Sequence, residues 1–246
     1  MPRQARLDAP GTLHHVIVRG IEKRQIVDDE EDRTRFIDRL AEIVQASGTR
    51  VYAWALMTNH LHLLLRSGPW GLPKFMRRML TGYAITYNLR HARHGHLFQN
   101  RYRSVVCDED VYFRELVRYI HLNPVRAKVV KDLGELERYR WCGHGVLLGR
   151  GAAAWQDTEY VLAWFEGKAG EARRAYRRYV AEGAIQGKRA DLEGGAWVRT
   201  FGGGSAVLSL RRSREAYVSD ERIRGGGEFV EKVLEGAEER TRRRLG

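Results

Sequence analysis

The chain has 246 residues, 43% of them hydrophobic, and 43 Lys and Arg against 31 Asp and Glu give it a formal charge of +12. This size holds one full core plus an appendage, and the charge favours an acidic partner, nucleic acid ahead of a membrane, because no apolar run of spanning or signal-peptide length occurs. The only cysteines, Cys107 and Cys142, lack metal or redox spacing and imply no disulfide framework, both read as small core residues, and a cytoplasmic location is expected.

In chain order, "TLHHVIVRG" reads as a strand, and "DDEEDRTRFIDRLAEIVQAS" as a helix with acids in its first turn and Phe36, Ile37, Leu40, Ile43 and Val44 on one face. "RVYAWALM" and "HLHLLLR" read as two strands joined through Thr58 and Asn59. Residues 71 to 94 repeat Leu72, Phe75, Met76, Met79, Leu80, Tyr83 and Tyr87 as a long amphipathic helix does. "YRSVVC" is a further strand and residues 109–122 a further helix. The order predicts an α+β fold, a ferredoxin-like βαββαβ unit with an antiparallel sheet, helices covering one side, and one additional helix at its end. After "GRGAAAWQ", a small-residue linker, residues 157–184 read as two short helices exposing Arg173, Arg174, Arg177 and Arg178. Residues 202–246 carry two triple-glycine breaks. The division expected is 1–150 as the main domain and 151–246 as a mostly helical accessory extension that packs on it or binds DNA.

Charge is unevenly placed. Between Glu42 and Asp108 lie 65 residues without Asp or Glu, a stretch that random placement would give about eight acids. The same window holds nine cations, Arg50, Arg66, Lys74, Arg77, Arg78, Arg90, Arg93, Arg101 and Arg103, among Tyr52, Trp54, Trp70, Phe75, Tyr83, Tyr87, Phe98 and Tyr102. Cations neutralise phosphates and exposed aromatics stack on unpaired bases, so the window reads as a nucleic-acid surface, with Trp54, Phe75 and Tyr83 assigned to the core.

Within it, "TNHLHLLL" sets His60 and His62 two apart, on one face of a strand with side-chain origins roughly 6–7 Å apart. That spacing permits a shared metal ion; it equally suits a half-wetted strand. In the last helix Phe113, Leu116, Val117 and Ile120 mark the core stripe, while Tyr119 and Asn123 sit together on its flank, one turn apart, and Pro124 is expected to end the helix. His14 and His15 alternate in the first strand, which predicts a core or surface role for them; His121 lies off the Tyr119 flank; His91, His94 and His96 read as a cationic loop.

"NHLHLLL", "GHLFQNRYRSV" and "RYIHLNPVRA", preceded by "PGTLHHVIVRGIEKRQIVDDEEDRTRF", resemble in order and spacing the single-tyrosine transposases of the His-hydrophobic-His endonuclease superfamily, in the branch associated with repetitive extragenic palindromes. The resemblance runs over roughly residues 3 to 145 and implies His60, His62 and Asn123 as ligands of Mg2+ or Mn2+ and Tyr119 as the nucleophile. Asn123 stands where insertion-sequence relatives commonly carry Gln. Single-stranded or hairpin DNA is then the partner, with phosphate contacts expected from Arg101, Arg103 and Arg126, and on charge alone from Arg19, Arg66, Arg77 and Arg78; monomer and homodimer both remain open.

A free phenol is only about 0.1% ionised at pH 7, so a strand-cleaving tyrosine needs help, and a divalent cation provides it by drawing charge from the scissile phosphate. The activity implied is a metal-dependent single-strand endonuclease and strand transferase acting at hairpin-forming palindromic repeats through a 5′-phosphotyrosine. A domesticated, non-cleaving hairpin-binding protein on the same fold is the alternative.

Overall fold

The computed structural model describes residue 7 and residues 10–99, 102–185 and 222–245, with side chains to residue 237. Its elements are β1 (Leu13–Arg19), α1 (Glu30–Ser47), β2 (Arg50–Leu56), β3 (His60–Arg66), α2 (Gly71–Arg90), β4 (Arg103–Cys107) and α3 (Glu109–Arg126). They are followed by α4 (Leu133–Arg138), α5 (His144–Leu147), α6 (Thr158–Leu162), α7 (Ala169–Ile185), β5 (Ile223–Arg224) and α8 (Gly227–Leu245).

The sheet order is β2-β3-β1-β4-β5. Its first four strands pair antiparallel in the ferredoxin-like arrangement, and β5 joins β4 in parallel. Local chemistry sets the element ends. Asp29 caps α1 by accepting from the Asp32 N–H at 2.9 Å, and Glu30, Glu31 and Asp32 complement the positive end of the helix. Gly48, at φ 63°, supplies the left-handed residue that closes the same helix.

Helices cover both faces of the sheet. On one side Val16, Val18, Trp54, Leu56, Leu61, Leu63 and Leu65 join α1 and α2 in a single core. On the other, Leu13, Tyr52, Ala55, Leu64, Val105 and Cys107 pack against Phe113, Leu116, Val117 and Ile120 of α3 and Ala172, Tyr176 and Val180 of α7. This corrects the one-sided sheet expected from element order. The physical reason is visible in β2 and β3, whose nearly continuous apolar runs suit strands covered twice better than strands with a wet face.

Three further expectations change. Pro124 lies inside α3, which runs on to Arg126; in the last turn the missing N–H removes one bond, and the Ala127 N–H still reaches the Asn123 carbonyl at 2.8 Å. The interleaved aromatics are core: Tyr52, Trp54, Phe75, Tyr83, Tyr87, Phe98 and Tyr102 are all buried. Trp70 is half-buried beneath Lys74 and Arg78, at 4.7 and 5.2 Å from its ring centre. The cations therefore carry the nucleic-acid argument without the aromatics. Finally, the extension contributes β5, a strand too short to show any periodicity.

The β2 edge and the outward side of β4 are both bonded. Along β2, the Leu56 N–H donates to Trp141 O, Gly143 N–H to Trp54 O and Asp157 N–H to Val51 O; along β4, Val106 and Asp108 N–H donate to Arg222 and Arg224 O. Among the described residues no helix is long and apolar enough to cross a membrane.

Candidate active site

β3 begins at His60, so His60, His62 and Leu64 share the face on which α3 lies. Antiparallel pairing then sets their neighbours: Arg19 stands opposite His60, Ile17 opposite His62, and His15 opposite Leu64, diagonal to His62 and on the same face. The ring centres of His60 and His62 are 5.0 Å apart. Tyr119 comes down from α3 with its ring edge-on to both His62 and His15, 5.9 Å from each. The two strand histidines and the helix tyrosine that stood about sixty residues apart thus meet at one strand–helix contact.

Each imidazole has one nitrogen engaged. His60 Nδ1 lies 2.6 Å from Asn59 Oδ1, and His62 Nδ1 lies 3.1 Å from His15 Nε2. Burial, aided by the Arg19 charge, lowers His60 from 6.5 to about 4. Burial, with the His60 and Arg19 charges adding to it, pushes His62 well below its ordinary value. Both rings are consequently neutral at pH 7, the state in which an imidazole donates a lone pair to a metal. Asn123, one turn beyond Tyr119, has a buried Nδ2 with no hydrogen-bond partner among the described residues. Exchanging its amide N and O would put an acceptor there instead, the form a cation requires. Two neutral imidazoles with centres 5.0 Å apart suit a single divalent ion bonded to nitrogen at about 2.1 Å, and Asn123 is the amide one turn from the tyrosine that faces them.

A second group with metal-ligand chemistry, Asp28, Asp32 and His91, brings its candidate ligand atoms within 4.8 Å of one another. Its charge is already met: Arg90 reaches Asp32 at 2.7 Å and Asp29 at 2.6 Å, and His91 Nε2 lies 2.8 Å from Asp32. A guanidinium occupies the role a cation would take.

The predicted basic residues divide by face. Arg103 is exposed beside Ile17, in the cross-strand row that continues to His62. Arg19 is exposed opposite His60, and the Arg126 guanidinium lies 5.5 Å from the Tyr119 ring centre. These three surround the cluster. Arg77 and Arg78 are exposed on α2, across the sheet from it. Arg66 is half-buried and committed to Tyr52, to the Gly11 carbonyl and to Glu109, so its part is to join β3 to α3. Arg101 lies outside the described residues.

His15 and Asn59 were missed from sequence. His14 and His15 are both buried, because the doubly covered sheet has no outward side for either. The signal for His15 was parity: once β1 pairs with β3, it shares a face with the His60–His62 pair.

Residues 11–123 match the family model described as IS200-like transposase. None of the curated proteins matches the sequence. Among solved structures, a REP-associated tyrosine transposase bound to a REP hairpin aligns over 69% of this chain and 93% of its own, at 14% identity and a TM-score of 0.51, a likeness of fold. A candidate transposase from Deinococcus radiodurans R1 aligns over 48% of this chain and 93% of its own, at 20% identity and a TM-score of 0.35.

Proposed function

We propose that the chain, whose residues 11–123 match the IS200-like transposase model, belongs to that family and cleaves and rejoins single-stranded DNA at hairpin-forming repeats, with Tyr119 as nucleophile. The observation that carries this reading is the placement of the Tyr119 ring 5.9 Å from His62, within a basic rim. His60, His62 and Asn123 would hold Mg2+ or Mn2+, which when bound neutralises charge on the phosphate oxygens. A hairpin is the ligand named for the structural neighbour of like fold, and it is the partner we assign here.

The chain's own residues account for the remaining chemistry. The Tyr119 oxygen forms a bond to phosphorus as the bond to the 3′-oxygen breaks, leaving a 5′-phosphotyrosine and a free 3′-hydroxyl. One phosphoester replaces another, so the reverse attack by a 3′-hydroxyl rejoins strands without an external energy source. Arg126, beside the Tyr119 ring, and Arg103, in the row of His62, are positioned for the flanking phosphates. We assign the extension from residue 151 the task of holding α3, and with it Tyr119, against the sheet, through α7 and β5.

Incubation with single-stranded hairpins bearing palindromic repeats, with Mn2+, should yield a protein–DNA adduct that survives denaturing electrophoresis. Tyr119→Phe should abolish adduct and cleavage while hairpin affinity stays within about twofold, since only a hydroxyl is lost. Adduct formation by the variant would place the nucleophile elsewhere. Hairpin binding without adduct in the unmodified protein would favour a non-cleaving role.

A further inference from the structure

A metal ligand must present a lone pair, and a neutral imidazole has it on one nitrogen only, so something must decide which. At His60 the decision can be followed outward. Glu22 and Lys23 adopt left-handed backbone at φ 52° and 62°, an uncommon conformation for residues with side chains. The Lys23 carbonyl in this turn accepts from Asn59 Nδ2 at 3.1 Å. That bond orients the Asn59 amide with Oδ1 towards His60 Nδ1, 2.6 Å away. An amide oxygen only accepts, so Nδ1 carries the proton and Nε2 the lone pair.

At His62 the corresponding place is taken by His15, whose Nε2 lies 3.1 Å from His62 Nδ1, in rings tilted only 20° from each other. We infer that His15 and Asn59 are the positioning residues of this site, each accepting an Nδ1–H so that His60 and His62 both turn Nε2 towards one ion. For His15 this requires the proton on its own Nδ1 and a lone pair on Nε2. The inference rests on the metal-dependent reading above. It adds a residue from β1, so the ion site is tied to three separate pieces of the fold: β1, the turn before α1 and the β2–β3 connection. Partners of this kind fix ring orientation and raise ligand basicity, and their removal lowers metal affinity by about 10–100-fold.

The test is Mn2+ titration by calorimetry on the full chain, with His15→Phe, His15→Gln and His60→Ala, together with nitrogen-15 spectra of the metal-free imidazoles. His15→Phe keeps a flat ring but offers no acceptor, and should weaken Mn2+ by about 10–100-fold. His15→Gln places an amide oxygen near the former Nε2 and should restore most of that loss. The spectra should report His60 and His62 protonated at Nδ1, and His62 should lose that preference in His15→Phe. Unchanged Mn2+ affinity in His15→Phe, equal losses in the Phe and Gln variants, or His62 protonated at Nε2 in the unmodified protein would each overturn the inference. Failure of the metal reading itself is distinguishable, because then His60→Ala would also leave Mn2+ affinity unchanged.

Discussion

Histidine is the residue type on which this structure turns, and its nine copies are sorted by burial and partner rather than by local sequence. His14 and His144, 0% and 1% exposed, are both lowered from 6.5 to about 4 by burial, the latter also by Arg177 and Arg150. The unfolded chain therefore binds protons that the folded chain refuses over the window from about 6.5 down to about 4. Stability contributed by these groups is complete above the unfolded value and lost as pH falls through that window. Each histidine should account for about 2 kcal/mol of loss between pH 7 and pH 5. Urea midpoints at the two pH values check this, and His14→Leu should flatten the dependence even if it shifts the overall midpoint. Arg66 shows the same sorting among cations. Counted by charge it is a phosphate contact; seated against Glu109, Tyr52 and the Gly11 carbonyl, it is part of the scaffold.

Among the elements, α3 carries the tyrosine, and α7 from the extension determines how firmly α3 is held. Tyr176, 0% exposed, has its hydroxyl 2.7 Å from His121 Nδ1 on α3 and 2.6 Å from His144 Nδ1 on α5. One hydroxyl has a single hydrogen, so it donates to one ring and accepts from the other, and the two histidines hold opposite tautomers. Burial raises the Tyr176 hydroxyl well above its ordinary value, which keeps it neutral in this role. Tyr176→Phe retains the ring but strands two buried imidazole nitrogens, a loss of about 2–4 kcal/mol at about 1–2 kcal/mol for each. We expect a lower thermal midpoint together with a fall in adduct yield, while hairpin affinity changes little. Thermal unfolding and the adduct assay on the same preparation read both, and an unchanged midpoint would dismiss the clamp.

For the whole molecule, two consequences follow from how the sheet is closed. Its β2 edge is bonded to residues 141–143 and 157, and its other edge is the two-residue β5, too short to give a second copy a long row to extend. A monomer is the expected species, checked by light scattering at micromolar concentration; a stable dimer would require an interface on a helical face. The second consequence concerns charge. Arg103 and Arg126 share the face of the cluster, whereas Arg77 and Arg78 lie across the sheet. On single strands each neutralised phosphate contributes about 0.7 to the slope of log affinity against log salt. Arg103→Ala with Arg126→Ala should therefore flatten the slope for a short cleavage-site strand by about 1.4, and Arg77→Ala with Arg78→Ala should leave it unchanged. Equal effects from both pairs would mean that the strand wraps the sheet.

Element order, the apolar stripes of α1, α2 and α3, the His60–His62 parity and the Tyr119–Asn123 flank are short-range properties, spaced within a few turns or strand residues, and were legible in the chain itself. So was the excess of cations over acids. Three things required tertiary structure. Which side of the sheet α3 covers depends on the chain crossing beneath it, and only that crossing turned an isolated tyrosine towards two histidines. His15 entered the site through strand register, a relation between residues 47 apart that no local period encodes. Arg66 left the phosphate-binding set because Glu109, distant in sequence, reaches it first. Local spacing prescribes which side chains share a face of one element; pairing of faces between elements decides what they meet, because burial, hydrogen-bond partners and charge environment are all set by the second element.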